Sequence, residues 1–150
     1  MDDSRGIVAQ LYRLFAAQRF AVLATQSGGQ PYGTLVAFAE TPDLAAILFV
    51  TGRKTRKYSD AVAGRKVAMV IDSRMNRASD LSTAVAVTAT GEVAEVVGSR
   101  HDHLAEIYLT KHPALAGFVK DEANVLMMIT VTEYVVASFD NVQRIRSDSL

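Results

Sequence analysis

The chain has 150 residues, of which 49% are hydrophobic and 21% charged, as in an ordinary soluble globular protein. Its 16 basic and 16 acidic residues give no formal net charge, which argues against a nucleic-acid-binding or membrane-surface protein, because both need a broad positive field. Cysteine is absent, which excludes disulfides, thiolate metal sites and a cysteine nucleophile. Neither a membrane-spanning apolar run nor a signal peptide is visible, so we expect a single cytoplasmic domain over residues 1–150.

The first half of the chain is expected to contain one amphipathic helix followed by short apolar strands. Apolar residues recur at helical spacing between positions 3 and 18, which predicts a helix there. Strands are expected at about 20–25, 31–39 and 45–51. The turn signal Ser27-Gly28-Gly29-Gln30 lies between the first two, so these should form a hairpin.

The second half adds further strands and two helical segments. The predicted elements are a strand at Lys66–Asp72, a polar loop at 73–82, a long strand at about 83–97, a helix at about 99–111, a helical turn from Pro113, a strand at about 124–138 and a short strand at 142–146. Gly91 indicates a bulge or sharp bend in the long strand. About six strands with few helices form no βαβ alternation, which favours a mainly β fold: a six-stranded antiparallel Greek-key barrel with flanking helices.

A basic loop follows the third predicted strand. Thr55 is a suitable N-cap for a short helix that ends near Gly64, and positive charge in the first turn of a helix opposes the helix dipole. A bound anion would remove this conflict, since free backbone N–H groups, the Thr55 hydroxyl and two cations can hold a phosphate. A solvated basic turn that binds nothing is the alternative. The basic residues are Arg53, Lys54, Arg56 and Lys57.

Three segments carry a family resemblance: Gly29–Phe38, Leu48–Thr51 followed by Thr55–Lys57, and Ala86–Val93. In this order and spacing they resemble the second strand, the strand with its phosphate loop, and the long strand ending at a glycine in the split-barrel flavoproteins related to pyridoxamine 5'-phosphate oxidase. The resemblance extends from about Phe20 to Arg144. It implies an FMN-binding split barrel with the flavin at a homodimer interface.

The resemblance also implies which residues contact the cofactor. The isoalloxazine edge would be lined, largely through backbone groups, by Thr34, Leu35, Val36 and Ala37. The flavin and ribityl chain would lie near Val50 and Thr51, and the phosphate would be held by Thr55, Arg56 and Lys57. Two further candidates in the polar loop after the fourth strand are Arg74 and Asn76, for which an ordinary polar loop is the alternative.

The activity implied by the resemblance is that of a small oxidoreductase that takes electrons from a reduced nicotinamide and acts on a small molecule. A non-enzymatic FMN-binding or storage module, a deazaflavin-binding protein and a haem-handling split barrel are the alternatives. No tryptophan is present, the tail at 139–146 does not reproduce the oxidase's tryptophan–arginine region, and Ala86 replaces a polar family residue. We therefore expect that vitamin B6 phosphates are not substrates.

The three histidines predict no metal centre. His101 and His103 are two positions apart and face different sides of a helix, whereas paired helical ligands need a spacing of three or four. Some split-barrel relatives bind haem through a histidine near the C-terminus, and no histidine follows His112 here. Met127 and Met128 are expected to fill the core.

Overall fold

The computed structural model describes residues 4–150, so position 3, the expected start of the first helix, lies outside the described residues. The helices are α1 (Ser4–Ala17), α2 (Arg56–Gly64), α3 (Asp80–Thr83), α4 (His101–Lys111) and α5 (Ala116–Lys120). The strands are β1 (Phe20–Ser27), β2 (Gln30–Glu40), β3 (Ala46–Gly52), β4 (Lys66–Asp72), β5 (Ala86–Glu95), β6 (Asn124–Ala137) and β7 (Val142–Arg146). Short 3-10 turns lie at Gly98–Arg100, Pro113–Leu115 and Ser147–Ser149.

Six antiparallel strands close into a barrel in the order β3-β2-β1-β4-β5-β6, because β6 returns to pair with β3. The long β6 has two partners along one edge. Its residues 124–130 pair with β3, and its residues 133–137 pair with β7. The predicted six-stranded barrel with flanking helices is therefore confirmed, and so is the short final strand.

Alternating burial along the strands separates the barrel interior from its outer face. In β1 the side chains of Ala21, Leu23 and Thr25 are buried, whereas Phe20 on the opposite face is 58% exposed. The interior also receives apolar side chains from α1, including the fully buried Phe15. A second, smaller apolar cluster lies between β3 and α4, so α4 covers one side of the barrel.

The segment predicted as a polar loop at 73–82 contains a short helix, α3, at its end, and this part of the prediction was wrong. The Asp80 carboxylate accepts the backbone N–H groups of Met75, Asn76 and Arg77 on a single oxygen, Oδ2. This local contact folds the loop back onto the first residue of α3. A four-residue helix has no room for an apolar periodicity, so the sequence pattern could not reveal it.

The predicted irregularity at Gly91 is present as a shift in strand register. Thr90 pairs with Glu133 and Gly91 pairs with Val131, so Thr132 is the extra residue on β6. A β-bulge of this kind bends the strand and increases its twist. The bend lies in β6, which holds the extra residue, and it lets the β5–β6 pair follow the closed barrel.

Candidate cofactor site

The loop between β3 and α2 is organised by two threonine hydroxyls. The Thr55 hydroxyl accepts the backbone N–H of Tyr58 at 3.3 Å and donates to the Gly52 carbonyl at 2.8 Å. Thr51 Oγ1 lies 3.0 Å from Thr55 Oγ1. Thr55 is thus the N-cap that the sequence predicts, and its hydroxyl hydrogen is donated within the loop.

The first turn of α2 leaves several donors available. The backbone N–H groups of Arg56 and Lys57 have no acceptor among residues 4–150, as expected at a helix N-terminus. The Lys57 side chain is partly exposed and forms no ion pair or hydrogen bond within the same range. These groups together present positive charge and unpaired N–H donors at one helix end.

Arg53, in contrast, is already paired. Its guanidinium makes two contacts with the Glu95 carboxylate, at 2.6 and 3.2 Å. This hydrogen bonding raises the pKa of Arg53. Within the loop, Arg53 is therefore paired with Glu95 of β5, whereas Arg56 and Lys57 lie at the N-terminus of α2.

Arg56 connects α2 with β2. Its guanidinium carbon lies 4.3 Å from the centre of the Tyr32 ring, and its Nε lies 3.4 Å from Asp60 Oδ2. Its terminal nitrogens have no partner among the described residues, and the side chain is 53% exposed. Sequence reasoning missed both Tyr32 and Asp60. For Asp60 the sequence offered one signal, its spacing of four residues from Arg56, which places the two side chains on the same side of a helix.

The edge of β2 beside this loop is open. β3 pairs only with Phe38–Glu40, whereas β1 pairs along Gln30–Ala37 on the other side. The Phe38 N–H donates to the Arg19 carbonyl, so the alternation of an antiparallel ladder turns the backbone groups of Leu35 and Ala37 towards the open edge. The Ala37 carbonyl accepts from the Tyr108 hydroxyl at 3.2 Å. The backbone groups of Leu35 on this edge therefore have no strand partner among the described residues.

The side chains of the predicted flavin-contacting residues point in different directions. Leu35 is 60% exposed on the outer face, whereas Val36 is buried in the core. Val50 and Thr51 are only 7% and 1% exposed, and Val50 packs in the cluster beneath α4. Thr34 and Ala37 are half-buried. These residues can meet a ligand mainly through backbone atoms and through Leu35.

Arg74 and Asn76 lie at the other end of the barrel. β4 starts next to α2 and ends at Asp72, and its seven residues span roughly 20 Å at a rise of about 3.3 Å per residue. Arg74 pairs with Asp72 at 3.1 Å and lines a cleft of about 130 Å³ with Phe20 and Leu35. One protomer therefore does not bring Arg74 and Asn76 together with Arg56 and Lys57.

The remaining polar groups near β2 support the strand. His112 is buried, and its Nε2 lies 2.6 Å from the Phe38 carbonyl oxygen. Burial raises the pKa of Tyr108, which donates a hydrogen bond to the Ala37 carbonyl, to about 12.

Within residues 4–150 no cluster of three or more histidine, cysteine or acidic side chains could hold a metal. None of the helices in that range has the length and apolar character needed to cross a membrane.

Comparison with known proteins identifies the family. The profile of the pyridoxamine 5'-phosphate oxidase family matches residues 7–135, which is most of the chain. The chain belongs to the pyridoxamine 5'-phosphate oxidase family. The resemblance seen in the sequence is therefore confirmed for the family and its fold. A search of curated protein sequences finds no significant match.

Solved structures with the same fold share little sequence with this family member. A heme binding protein from Mycobacterium smegmatis is 14% identical, with a TM-score of 0.80, and the match covers 91% of this chain but 57% of that one. ChuZ from Campylobacter jejuni is 11% identical, with a TM-score of 0.80, and the match covers 95% and 60% of the two chains. A FAD-binding protein from Mesorhizobium loti is 14% identical, with a TM-score of 0.68 and coverage of 86% and 90%. This chain thus spans less than two thirds of the first two proteins and most of the third.

Proposed function

We propose that this protein is a cytoplasmic, homodimeric FMN-binding flavoprotein that passes electrons from a reduced nicotinamide to a small-molecule acceptor. The observation that carries the proposal is the contact of Arg56 with Tyr32. It places a guanidinium with free terminal nitrogens beside the strand whose backbone edge is open. A phosphorylated ligand with a flat, hydrogen-bonding ring would meet both features at once.

The residues fit an FMN molecule in chemical type. Arg56, Lys57 and the first amides of α2 offer charge and N–H donors for its phosphate. The open edge of β2 offers N–H and C=O groups for the polar edge of the ring, and the outward Leu35 side chain offers apolar contact. Bound flavin would supply hydride and electron transfer, while the protein binds and orients it. A deazaflavin nucleotide would use the same phosphate groups.

The visible spectrum of the purified protein tests the proposal directly. Flavin absorption bands that bleach anaerobically on addition of NADH or NADPH are the expected result. Flavin bands that persist in the presence of either nicotinamide would favour a storage module. A haem spectrum would instead favour the alternative that the Mycobacterium smegmatis protein's name suggests.

The positions of the predicted site residues support the proposed dimer. Arg74 and Asn76 follow the end of β4 that is remote from α2 and Arg56, and this separation suits a ligand site to which two copies of the chain contribute. The outer sheet face between these ends is largely apolar and partly exposed, as expected for a surface that another copy covers. One outward row across this face consists of Leu35, Val22, Val70, Thr88 and Val135.

Phe20→Asp is expected to separate the dimer into monomers at micromolar concentration. The Phe20 ring is 58% exposed beside Leu35. Replacing it by a carboxylate should remove roughly 2 kcal/mol or more of association free energy at each of the two symmetric positions of the dimer interface. Sedimentation velocity measures the outcome. Val97→Asp, at an apolar residue that is 71% exposed after β5, is the matched control and should remain dimeric. A wild-type monomer that still holds flavin would refute the dimer.

We expect no useful oxidation of pyridoxine 5'-phosphate by the FMN-loaded protein. The chain has no tryptophan, its tail at 139–146 does not reproduce the tryptophan–arginine region of the oxidase, and each of the two tail arginines lies beside a carboxylate. Arg144 lies 3.1 Å from Glu133, and Arg146 lies 3.8 Å from Asp148. A coupled assay for pyridoxal 5'-phosphate formation checks this. Robust turnover would show that another part of the protein replaces the missing tail region.

A further inference from the structure

Asp60 is a buried carboxylate beneath the phosphate-binding helix terminus. Its side chain is only 7% exposed, and the Thr25 hydroxyl contacts its Oδ2 at 3.5 Å. Burying an ionised carboxylate is unfavourable unless a cation and hydrogen bonds compensate for the lost hydration. Among the described residues Arg56 is the cation in contact with it, at 3.4 Å.

The geometry of this contact sets the orientation of Arg56. Asp60 engages Nε, which is the nitrogen nearest the side-chain stem, and the guanidinium carbon lies over the Tyr32 ring. The two terminal nitrogens are left without a partner among residues 4–150. These are the nitrogens that form a bidentate fork on a phosphate.

We propose that Asp60 and Tyr32 are positioning residues that hold Arg56 in its phosphate-binding orientation before a ligand arrives. This inference rests on the proposed function and assigns its phosphate specificity to residues that do not themselves touch the phosphate. An arginine that is already ordered loses less side-chain freedom on binding, and the ligand is bound more tightly as a result.

Removing the charge of Asp60 should change FMN affinity in opposite directions if Asp60 positions Arg56 and if it competes with the phosphate, and this makes the proposal testable. If Asp60 merely competed with the phosphate for Arg56, removal of its charge would tighten FMN binding, because a nearby carboxylate repels an anion. If Asp60 positions Arg56, removal of its charge weakens FMN binding although a negative charge has been lost. Riboflavin lacks the phosphate, so the ratio of the two affinities isolates the effect from general damage to the site.

The first experiment titrates wild-type and Asp60→Asn protein with FMN and with riboflavin. We expect the ratio of FMN to riboflavin affinity to fall by about 2–12-fold in Asp60→Asn, which corresponds to the cost of ordering one long side chain. Glu95→Gln is the matched control, because it removes a carboxylate that pairs with Arg53 in the same loop, and its ratio should not fall. An unchanged or increased ratio in Asp60→Asn overturns the proposal.

The second variant pair tests the aromatic contact with little risk to the fold, since Tyr32 lies on the β1–β2 hairpin and is only half-buried. Tyr32→Leu should lower the FMN-to-riboflavin ratio, and Tyr32→Phe, which keeps the ring, should largely restore it. Equal effects of leucine and phenylalanine would remove Tyr32 from the proposal.

A measurement without any flavin separates this inference from the proposed function. In ¹H–¹⁵N NMR of the free protein, the Nε–H signal of Arg56 is assigned by its loss in Arg56→Lys. Its heteronuclear NOE should have the high value of a rigid group in the wild type and the low value of a mobile group in Asp60→Asn. A mobile Arg56 signal in the wild type, or a rigid one in Asp60→Asn, overturns the positioning role. If the wild type instead binds FMN no better than riboflavin, the proposed phosphate site fails while the NMR result still decides the orientation of Arg56.

Discussion

Arg56→Ala should weaken FMN binding by roughly 10–150-fold while riboflavin binding stays almost unchanged. The terminal nitrogens of Arg56 have no partner among residues 4–150 and are free to make a bidentate, charge-assisted contact. Loss of such a contact typically costs about 1.5–3 kcal/mol when the anion is partly shielded from water. Flavin-fluorescence titration with both ligands measures the two affinities.

The other residues of the loop should form a graded series around this effect. Lys57→Ala should act in the same direction but less strongly, because lysine offers a compact charge rather than a planar fork. Thr55→Val removes the N-cap of α2 and should therefore also lower stability, by about 1 kcal/mol. Arg53→Ala should have a smaller effect, since Arg53 is paired with Glu95 rather than free.

Lys54→Ala is the nearest control for the total charge of the loop, because Lys54 is exposed and precedes the cap. Increasing salt should weaken FMN binding more in the wild type than in Arg56→Ala, since part of the attraction is screened. Equal losses for FMN and riboflavin would mean that the loop does not recognise phosphate. No loss for either ligand would restore the alternative of a solvated basic turn.

Gly91→Ala is expected to lower the free energy of unfolding by about 3 kcal/mol, the upper part of the usual range for overpacking. A Cβ at this position would lie well inside contact distance of the Thr130 carbonyl oxygen and 3.1 Å from Ile129 Cγ2. Thr130 is paired with Ala46 of β3 and with Glu92 of β5, so β6 is held on both sides and cannot move away. Chemical denaturation measures the change, with the same dependence of unfolding free energy on denaturant concentration used for both proteins.

Gly117→Ala is the matched control for that substitution. A Cβ at Gly117 would have nothing within 4 Å, and the residue lies in α5. Alanine is a better helix former than glycine, although Gly117 is only the second residue of this short helix, so this variant should be as stable as the wild type or slightly more stable. Similar destabilisation by both substitutions would contradict the close approach at Gly91.

Much of the fold could be read from local patterns. Strands such as β1 and β4 alternate buried and less buried residues, so their periodicity predicts them, whereas β3 is a continuous apolar run. Thr55 was recognisable as an N-cap because capping depends on neighbouring residues alone. Gly91 stood out within an alternating strand for the same local reason. The order of these signals was also sufficient to indicate the family, which the match over residues 7–135 confirms.

The candidate site could be predicted only in part. The basic loop and the β2 segment were both visible in the sequence, but the contact that joins them was not. Tyr32 and Arg56 are 24 positions apart and meet only because β2 and α2 lie at the same end of the barrel. Asp60 reads as an ordinary surface residue of a short helix until the structure shows that it is buried.

The sequence by itself determined the positions of the strands, the cap of α2, the irregularity at Gly91 and the residue types available for a phosphate, because each depends on residues close together in the chain. Only the tertiary structure decided which of these groups meet. Barrel closure through β3 and β6 brings Arg56 against the Tyr32 ring of β2 and leaves Arg74 at the far end of β4. The physical reason is that a closed sheet sets distances between residues far apart in sequence, which no local pattern encodes.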